Sequence, residues 1–211
     1  MDPILRCLPG WLAGLIGCLL LAACGGPDAG HSKLAPDAVI LAIGDSLTHG
    51  TGAGKADGYP ARLAELIERD VINAGVPGEL SVAGRQRLPA LLERHQPALV
   101  ILCHGGNDIL KKRDPRTTAV NLRAMIDQIR AAGAEVLLLA VPEPGLLPAP
   151  AAFYEQVAEA TDSPIMMDML ADILSSPSLK ADAVHPNKAG YAKMARAMAT
   201  KLRHTGAIQG N

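Results

Sequence analysis

Four short polar blocks interrupt this 211-residue chain, and each carries a group suited to one part of an acyl-transfer reaction. Ser46, in Gly44-Asp45-Ser46-Leu47, follows an apolar run, and its hydroxyl becomes a nucleophile when a neighbouring base takes its proton. His185 is the candidate base. Asp182, three residues earlier in the same polar stretch, is near enough to fix the imidazole's tautomer and tilt. Gly75, in Asn73-Ala74-Gly75, has no Cβ to keep its N–H from a substrate, and Asn107, in Gly105-Gly106-Asn107-Asp108, offers a side-chain amide. Donors of these kinds stabilise the oxygen that turns negative when an ester carbonyl is attacked. Taken singly, every string is also ordinary turn or capping material. Thr48 stands where a G-x-S-x-G elbow would have its second glycine, so that motif is absent.

The elements that must position these groups alternate in type. Apolar runs at Ala38–Ile43, Asp70–Asn73, Ala98–Cys103, Glu135–Val141 and Pro164–Met167 read as strands, and their near-continuous apolar character predicts burial on both faces. Between them, Tyr59–Glu68, Ser81–Arg94, Thr117–Ala132 and Ala151–Ala160 read as helices, with a last helix capped by Asn187 and running to Arg203. Alternation of this kind predicts an α/β protein, a three-layer α/β/α sandwich around a parallel sheet. Ligands of such sheets bind at the carboxyl ends of the strands. The first three blocks each follow a strand, so they are expected to converge on one edge.

Order and placement together resemble the GDSL/SGNH hydrolase family, through GDSL at Gly44–Leu47, NAG at Asn73–Gly75, GGND at Gly105–Asp108 and DxxH at Asp182–His185. The likeness extends from Ala38 to about Arg203 and is nearest to the bacterial arylesterase and thioesterase/lysophospholipase branch. It implies a five-stranded, flavodoxin-like sheet, with Ser46 as nucleophile, His185 as base and Asp182 as its orienter. It also implies an oxyanion hole from the Ser46 and Gly75 N–H groups and the Asn107 amide, with no metal and no cofactor.

Residues 1–23 read as an export signal: Arg6 precedes the apolar stretch Cys7–Leu21, which is short for a membrane span. Leu21-Ala22-Ala23-Cys24 resembles a bacterial lipobox, which implies lipidation of Cys24 and a lipid-anchored envelope protein. Gly25 after the cysteine favours the outer membrane, facing the periplasm. Residues 24–36, rich in Gly, Pro, Asp and Ser, read as a tether to a hydrolase domain at 37–205, with 206–211 as a tail. Once Cys7 and Cys18 leave and Cys24 is lipidated, Cys103 remains as a buried apolar residue and no disulfide framework exists. A net charge of −1 provides no basic field for nucleic acid.

One Phe and a single Trp, Trp11 in the signal, leave a core of Leu, Ile, Val, Ala and Met and predict an aliphatic pocket. The Pro-rich stretch Val141–Pro148 is expected to wall an acyl pocket with Leu146 and Leu147, opposite Val76 and Pro77. Substrates are expected to be aryl, acyl, lysophospholipid or thioesters. A glycan acetyl esterase and a non-catalytic envelope binding protein are the alternatives. His49 and His104 flank two of the blocks without an assigned role, Asp108 reads as a local turn former, and His31 as part of the tether. A histidine base must be neutral to work, so activity is expected to fall as pH drops through the ordinary imidazole range of about 6 to 7. A rate profile that stays flat to pH 4 would exclude it.

Overall fold

The computed structural model describes residues 31–208. In chain order its elements are β1 (Ile40–Gly44), α1 (Ser46–His49), α2 (Tyr59–Ile67), β2 (Val71–Gly75), α3 (Ser81–His95) and β3 (Leu99–Cys103). They continue through α4 (Gly106–Leu110), α5 (Pro115–Ala131), β4 (Glu135–Leu139) and a two-stranded ribbon of β5 (Pro142–Glu143) and β6 (Ala149–Pro150). The chain then forms α6 (Phe153–Thr161), β7 (Ile165–Met166), α7 (Met169–Ser175) and α8 (Lys188–His204).

Five strands make one parallel sheet in the order β2-β1-β3-β4-β7. The apolar runs of β1 and β3 are wholly buried, as inner strands covered on both faces require. β2, at the edge, is half-exposed. Helices α3, α5 and α6 pack together as one layer, and α2, α8 and α7 as the other. The fold is therefore the three-layer α/β/α sandwich that the alternation predicts. Gly44 lies opposite both Gly75 and Cys103, so three strands end level and release their loops at one edge.

Four further elements did not show in the sequence. Helices α1, α4 and α7 are four, five and seven residues long, too short to establish a 3.6-residue period, and the ribbon has two residues a side. The core also uses aromatic residues that the aliphatic reading underrated. Tyr59, Tyr154 and Tyr191 are fully buried. Their hydroxyls bond Thr48 Oγ1 at 3.0 Å, the His104 carbonyl at 2.7 Å and the Thr51 carbonyl at 2.8 Å. Each phenol thus fastens a loop at the sheet's carboxyl edge from below.

The packed unit is larger than residues 37–205. His31 is buried, with Nδ1 2.9 Å from Thr205 Oγ1 and Nε2 3.1 Å from the Val136 carbonyl. Leu34 donates its N–H to Ala207, and Leu34, Ala207 and Ile208 join the core. A tether reading based on Gly, Pro and Ser content passed over one histidine and one leucine that dock. Residues 1–23, read as an export signal, Cys24 and residues 209–211 lie outside the described residues.

Candidate active site

The turn that presents Ser46 is built on a close approach. A Cβ on Gly44 would stand 2.2 Å from Thr48 Oγ1 and 2.4 Å from the Cys103 carbonyl, so only glycine lets β1 turn into α1 here. Asp45 caps α1 by accepting the Leu47 N–H at 3.0 Å. Ser46, in the first turn, keeps a backbone N–H with no intrahelical acceptor. Across the edge, the 182–185 loop is closed by Ala181 N–H donating to the His185 carbonyl at 2.8 Å. Gly52 packs beneath it: an added Cβ would lie 2.6 Å from the Pro186 carbonyl.

These loops bring three side chains from opposite ends of the chain into line. His185 Nε2 is 2.9 Å from Ser46 Oγ, and His185 Nδ1 is 2.8 Å from Asp182 Oδ2. Asp182 Oδ1 accepts the Val184 and His185 N–H groups at 2.8 and 2.9 Å, which fixes the carboxylate independently of the ring. Burial pushes the Asp182 carboxyl upward, but those N–H groups and His185 outweigh it and hold the group below its ordinary range. Asp182 therefore stays ionised wherever a neutral histidine base works.

Asn107, at the start of α4, reaches the same place. Its amide donates to Asp45 Oδ2 at 2.9 Å and to the Glu79 carbonyl at 3.1 Å. Asp45 is almost fully buried, and desolvation raises its carboxyl despite the Leu47 N–H, His104, Asn107 and His185, which lower it. Asp108 faces away, accepting the Ser81 N–H and hydroxyl at 2.8 Å each and tying α4 to the head of α3. The sequence suggested a local turn former; the carboxylate instead makes a contact between elements 27 residues apart.

Gly75 has a different job from the one expected. Its N–H donates to Asn73 Oδ1 at 3.0 Å, and a Cβ there would stand 2.2 Å from His49 N and 2.7 Å from His49 Cα. The glycine admits the backbone of α1 against β2. Three residues on, Pro77-Gly78 forms the centre of a turn closed by Glu79 N–H on the Val76 carbonyl at 3.2 Å. Gly78 has φ +78°, as the third residue of a type II turn requires, and open space where a Cβ would be. The Pro-Gly pair was the legible signal for it. Gly75→Ala is expected to destabilise the fold by ~3 kcal/mol, because backbone atoms cannot yield as a side chain can. A denaturation midpoint equal to the parent's would refute this.

Beside Ser46 opens a narrow cleft, open to solvent at its mouth. Its apolar wall is formed by Leu110, Val141, Pro142, Pro144, Leu174 and Val184. The Pro-rich stretch thus contributes through its prolines. Leu146 and Leu147 point into solvent at 97% and 85% exposure, and Val76 and Pro77 are exposed and stand outside the lining. Apolar composition alone did not reveal which way the loop's side chains face. Leu146→Ser with Leu147→Ser is accordingly expected to leave acyl-length preference unchanged, whereas Leu174→Phe shifts it to shorter chains. A series of p-nitrophenyl esters tests both, and the reverse pattern would relocate the pocket.

Cys103 is fully buried, and burial pushes its thiol far above the ordinary range. Among the described residues, no group of three or more His, Cys, Asp or Glu is arranged to hold a metal ion, and no helix is long and apolar enough to cross a membrane.

The sandwich, with its polar groups at the carboxyl edge and an apolar cleft beside them, defines a hydrolase of the ester-cleaving class. The chain belongs to the GDSL-like lipase/acylhydrolase family, whose model matches residues 42–193. It is 33% identical over 172 residues to thioesterase 1/protease 1/lysophospholipase L1 of Escherichia coli (strain K12), covering 78% of this chain and 83% of that protein. It is 29% identical over 174 residues to an arylesterase of Vibrio mimicus, covering 77% and 87%. The crystal structure of TesA superposes with a TM-score of 0.73 at 29% identity, over 79% of this chain and 99% of the other. This protein is an ester-hydrolysing enzyme.

Proposed function

We propose that the enzyme cleaves carboxylic esters, thioesters among them, through an acyl-enzyme on Ser46. The single observation that carries this is the continuous Ser46–His185–Asp182 hydrogen-bond chain at 2.9 and 2.8 Å. His185 takes the hydroxyl proton as Ser46 Oγ bonds to the carbonyl carbon, and Asp182 stabilises the imidazolium. Collapse of the tetrahedral species expels the alcohol or thiol, which receives that proton. Water, deprotonated by the same histidine, then attacks the acyl-serine and releases the acid.

The Ser46 N–H and the Asn107 amide stabilise the oxyanion, joined by the Gly78 N–H rather than that of Gly75. Glu79, next to Gly78, already touches Asn107 through its carbonyl, whereas the Gly75 N–H is engaged by Asn73. Both Asn107 amide protons have acceptors in the free enzyme. The oxyanion shares the amide proton that faces the Glu79 carbonyl in a three-centre bond, taking the larger part because a charged acceptor forms the stronger bond. The apolar cleft suits a short to medium acyl chain, with a variable leaving group toward solvent. The activities named for the similar proteins, thioesterase, lysophospholipase and arylesterase, fit this arrangement.

The testing experiment is turnover of p-nitrophenyl esters of graded length, beside labelling with a fluorophosphonate. One label per chain, recovered on the Ser46 peptide, is the expected result. A label on any other residue, or none from an enzyme that turns over, would overturn the mechanism.

We place the enzyme in the bacterial envelope, lipid-anchored at Cys24 on the periplasmic side. Seven residues from Cys24 to Gly30 reach at most about 25 Å. His31 docks on Val136 at the strand-start end of the sheet, opposite Ser46. The mass of the mature N-terminal peptide tests the anchor: a diacylglyceryl adduct on Cys24 supports it, and an unmodified Cys24 removes it.

A further inference from the structure

Next to Asn107 lies a largely buried group of ionisable side chains that takes no part in the steps above. The Glu79 side chain is 7% exposed, Arg87 is 26% exposed and His104 is fully buried. Arg87 Nε donates to both Glu79 oxygens at 2.8 and 3.0 Å, and Nη2 to Oε2 at 2.6 Å. The same Nη2 donates to the Ala74 carbonyl at 2.7 Å and the Gly44 carbonyl at 3.3 Å. One guanidinium therefore joins the ends of β1 and β2 to the turn that follows β2. His104 Nε2 stands 3.3 Å from Glu79 Oε2, outside good hydrogen-bond geometry. The ring fits only because α3 has glycine at 84, where a Cβ would come within 2.3 Å of Nε2.

A buried ion pair is a poor device for stability alone, because desolvation consumes most of the Coulombic gain and apolar replacements often serve as well. What this pair does hold is position. The residue whose carboxylate is clamped is the one whose main-chain carbonyl receives the Asn107 amide at 3.1 Å. Without the clamp, the Val76–Glu79 turn retains its Val76 N–H bond to Gly44 at 3.0 Å and its own closing bond at 3.2 Å. Neither bond fixes where the Glu79 carbonyl points.

We infer that Arg87 and Glu79, backed by His104, are positioning residues of the oxyanion hole, holding the Asn107 amide and the Pro77–Gly78 turn where charge develops on the substrate carbonyl oxygen. This rests on the proposed role of Asn107. A misplacement of about 1 Å at a reacting centre costs up to about 100-fold in rate. Ground-state binding in the apolar cleft does not pass through these groups, so kcat bears the loss and KM does not.

The experiment measures kcat and KM on p-nitrophenyl butyrate for Arg87→Gln, Glu79→Gln, Asn107→Ala and the Arg87→Gln/Asn107→Ala double variant, each with its melting temperature. Arg85→Gln, on the same helix but bonded to Asn121, is the control and is expected to keep parental kcat. Arg87→Gln and Glu79→Gln are expected to lower kcat about 10- to 100-fold with KM within threefold. The double variant is expected to be no slower than Asn107→Ala, because both changes remove one interaction. Millimolar guanidinium is expected to restore part of kcat to Arg87→Ala and nothing to the parent, which a purely structural role would not produce. Folded Arg87→Gln and Glu79→Gln enzymes within threefold of parental kcat overturn the proposal. So do fully additive losses in the double variant, which leave the Asn107 role standing. A silent Asn107→Ala removes that role and the proposal with it. Should Arg87 variants not fold, Glu79→Gln decides, since it keeps the side chain's shape and the carbonyl.

Discussion

Ser46→Ala is expected to lower kcat by on the order of 10^5- to 10^6-fold, the scale seen when a triad nucleophile is removed. The substitution deletes one oxygen at the N-terminal turn of α1 and leaves the Asp45 cap on the Leu47 N–H intact. Alanine is also the better helix former, so stability is expected to stay within about 0.5 kcal/mol of the parent. The alternative nearby nucleophile, Asp45, is almost fully buried and engaged by Leu47 and Asn107. It cannot take over. The measurement is single-turnover and steady-state hydrolysis of p-nitrophenyl esters with active sites titrated, because a trace of parental enzyme would mimic residual activity. A folded variant within tenfold of the parent would show that Ser46 is not the nucleophile. A small residual rate above the uncatalysed reaction is compatible with the mechanism, since oxyanion donors and substrate binding survive the change.

The elements were legible where sequence pattern and physical environment agree. β1 and β3 are apolar at every position because both faces are covered, so their burial could be read directly. The α8 start was visible in Asn187, whose side chain accepts the Gly190 N–H at 3.1 Å. The motifs were legible because strand ends concentrate polar residues between apolar runs. What the sequence hid is chiefly three-dimensional direction. Gly75 and Gly78 look equally suited to a close backbone approach. The Pro-Gly pair marks a turn at Gly78, but only the structure shows that Gly75 admits His49. Leu146 and Leu147 carry the right chemistry for a pocket and face the solvent. Glu79 and Arg87 lie in different elements, one in a turn and the other inside α3, so no periodicity within a single element links them. The three buried tyrosines were hidden for the same reason: their composition was known, but not that each hydroxyl meets a loop at the sheet's edge.

Asp182→Asn is expected to reduce kcat by about 10^3-fold while Asp182→Ala costs less, an ordering that isolates what the carboxylate does. Asparagine preserves the Oδ1 acceptor for the Val184 and His185 N–H groups, so the loop keeps its shape. Its NH2 group then faces His185 Nδ1 across the 2.8 Å contact and donates to it. That forces the ring proton onto Nε2, the atom that must accept from Ser46, and the base is held in the wrong tautomer. Alanine removes the counter-charge but imposes no tautomer, since water can take the vacated place. The carboxylate is 52% exposed, so its electrostatic share is screened and the loss falls short of the ~10^4-fold found for a buried triad aspartate. Stability orders the other way: alanine gives up both Oδ1 bonds and is expected to lose about 1 to 2 kcal/mol, asparagine less. Rates and denaturation midpoints for the pair check both orderings. An asparagine variant within fivefold of the parent would mean that Asp182 does not set the histidine's tautomer. An alanine variant that is both slower and less stable than the asparagine one would make Asp182 a cap for the loop.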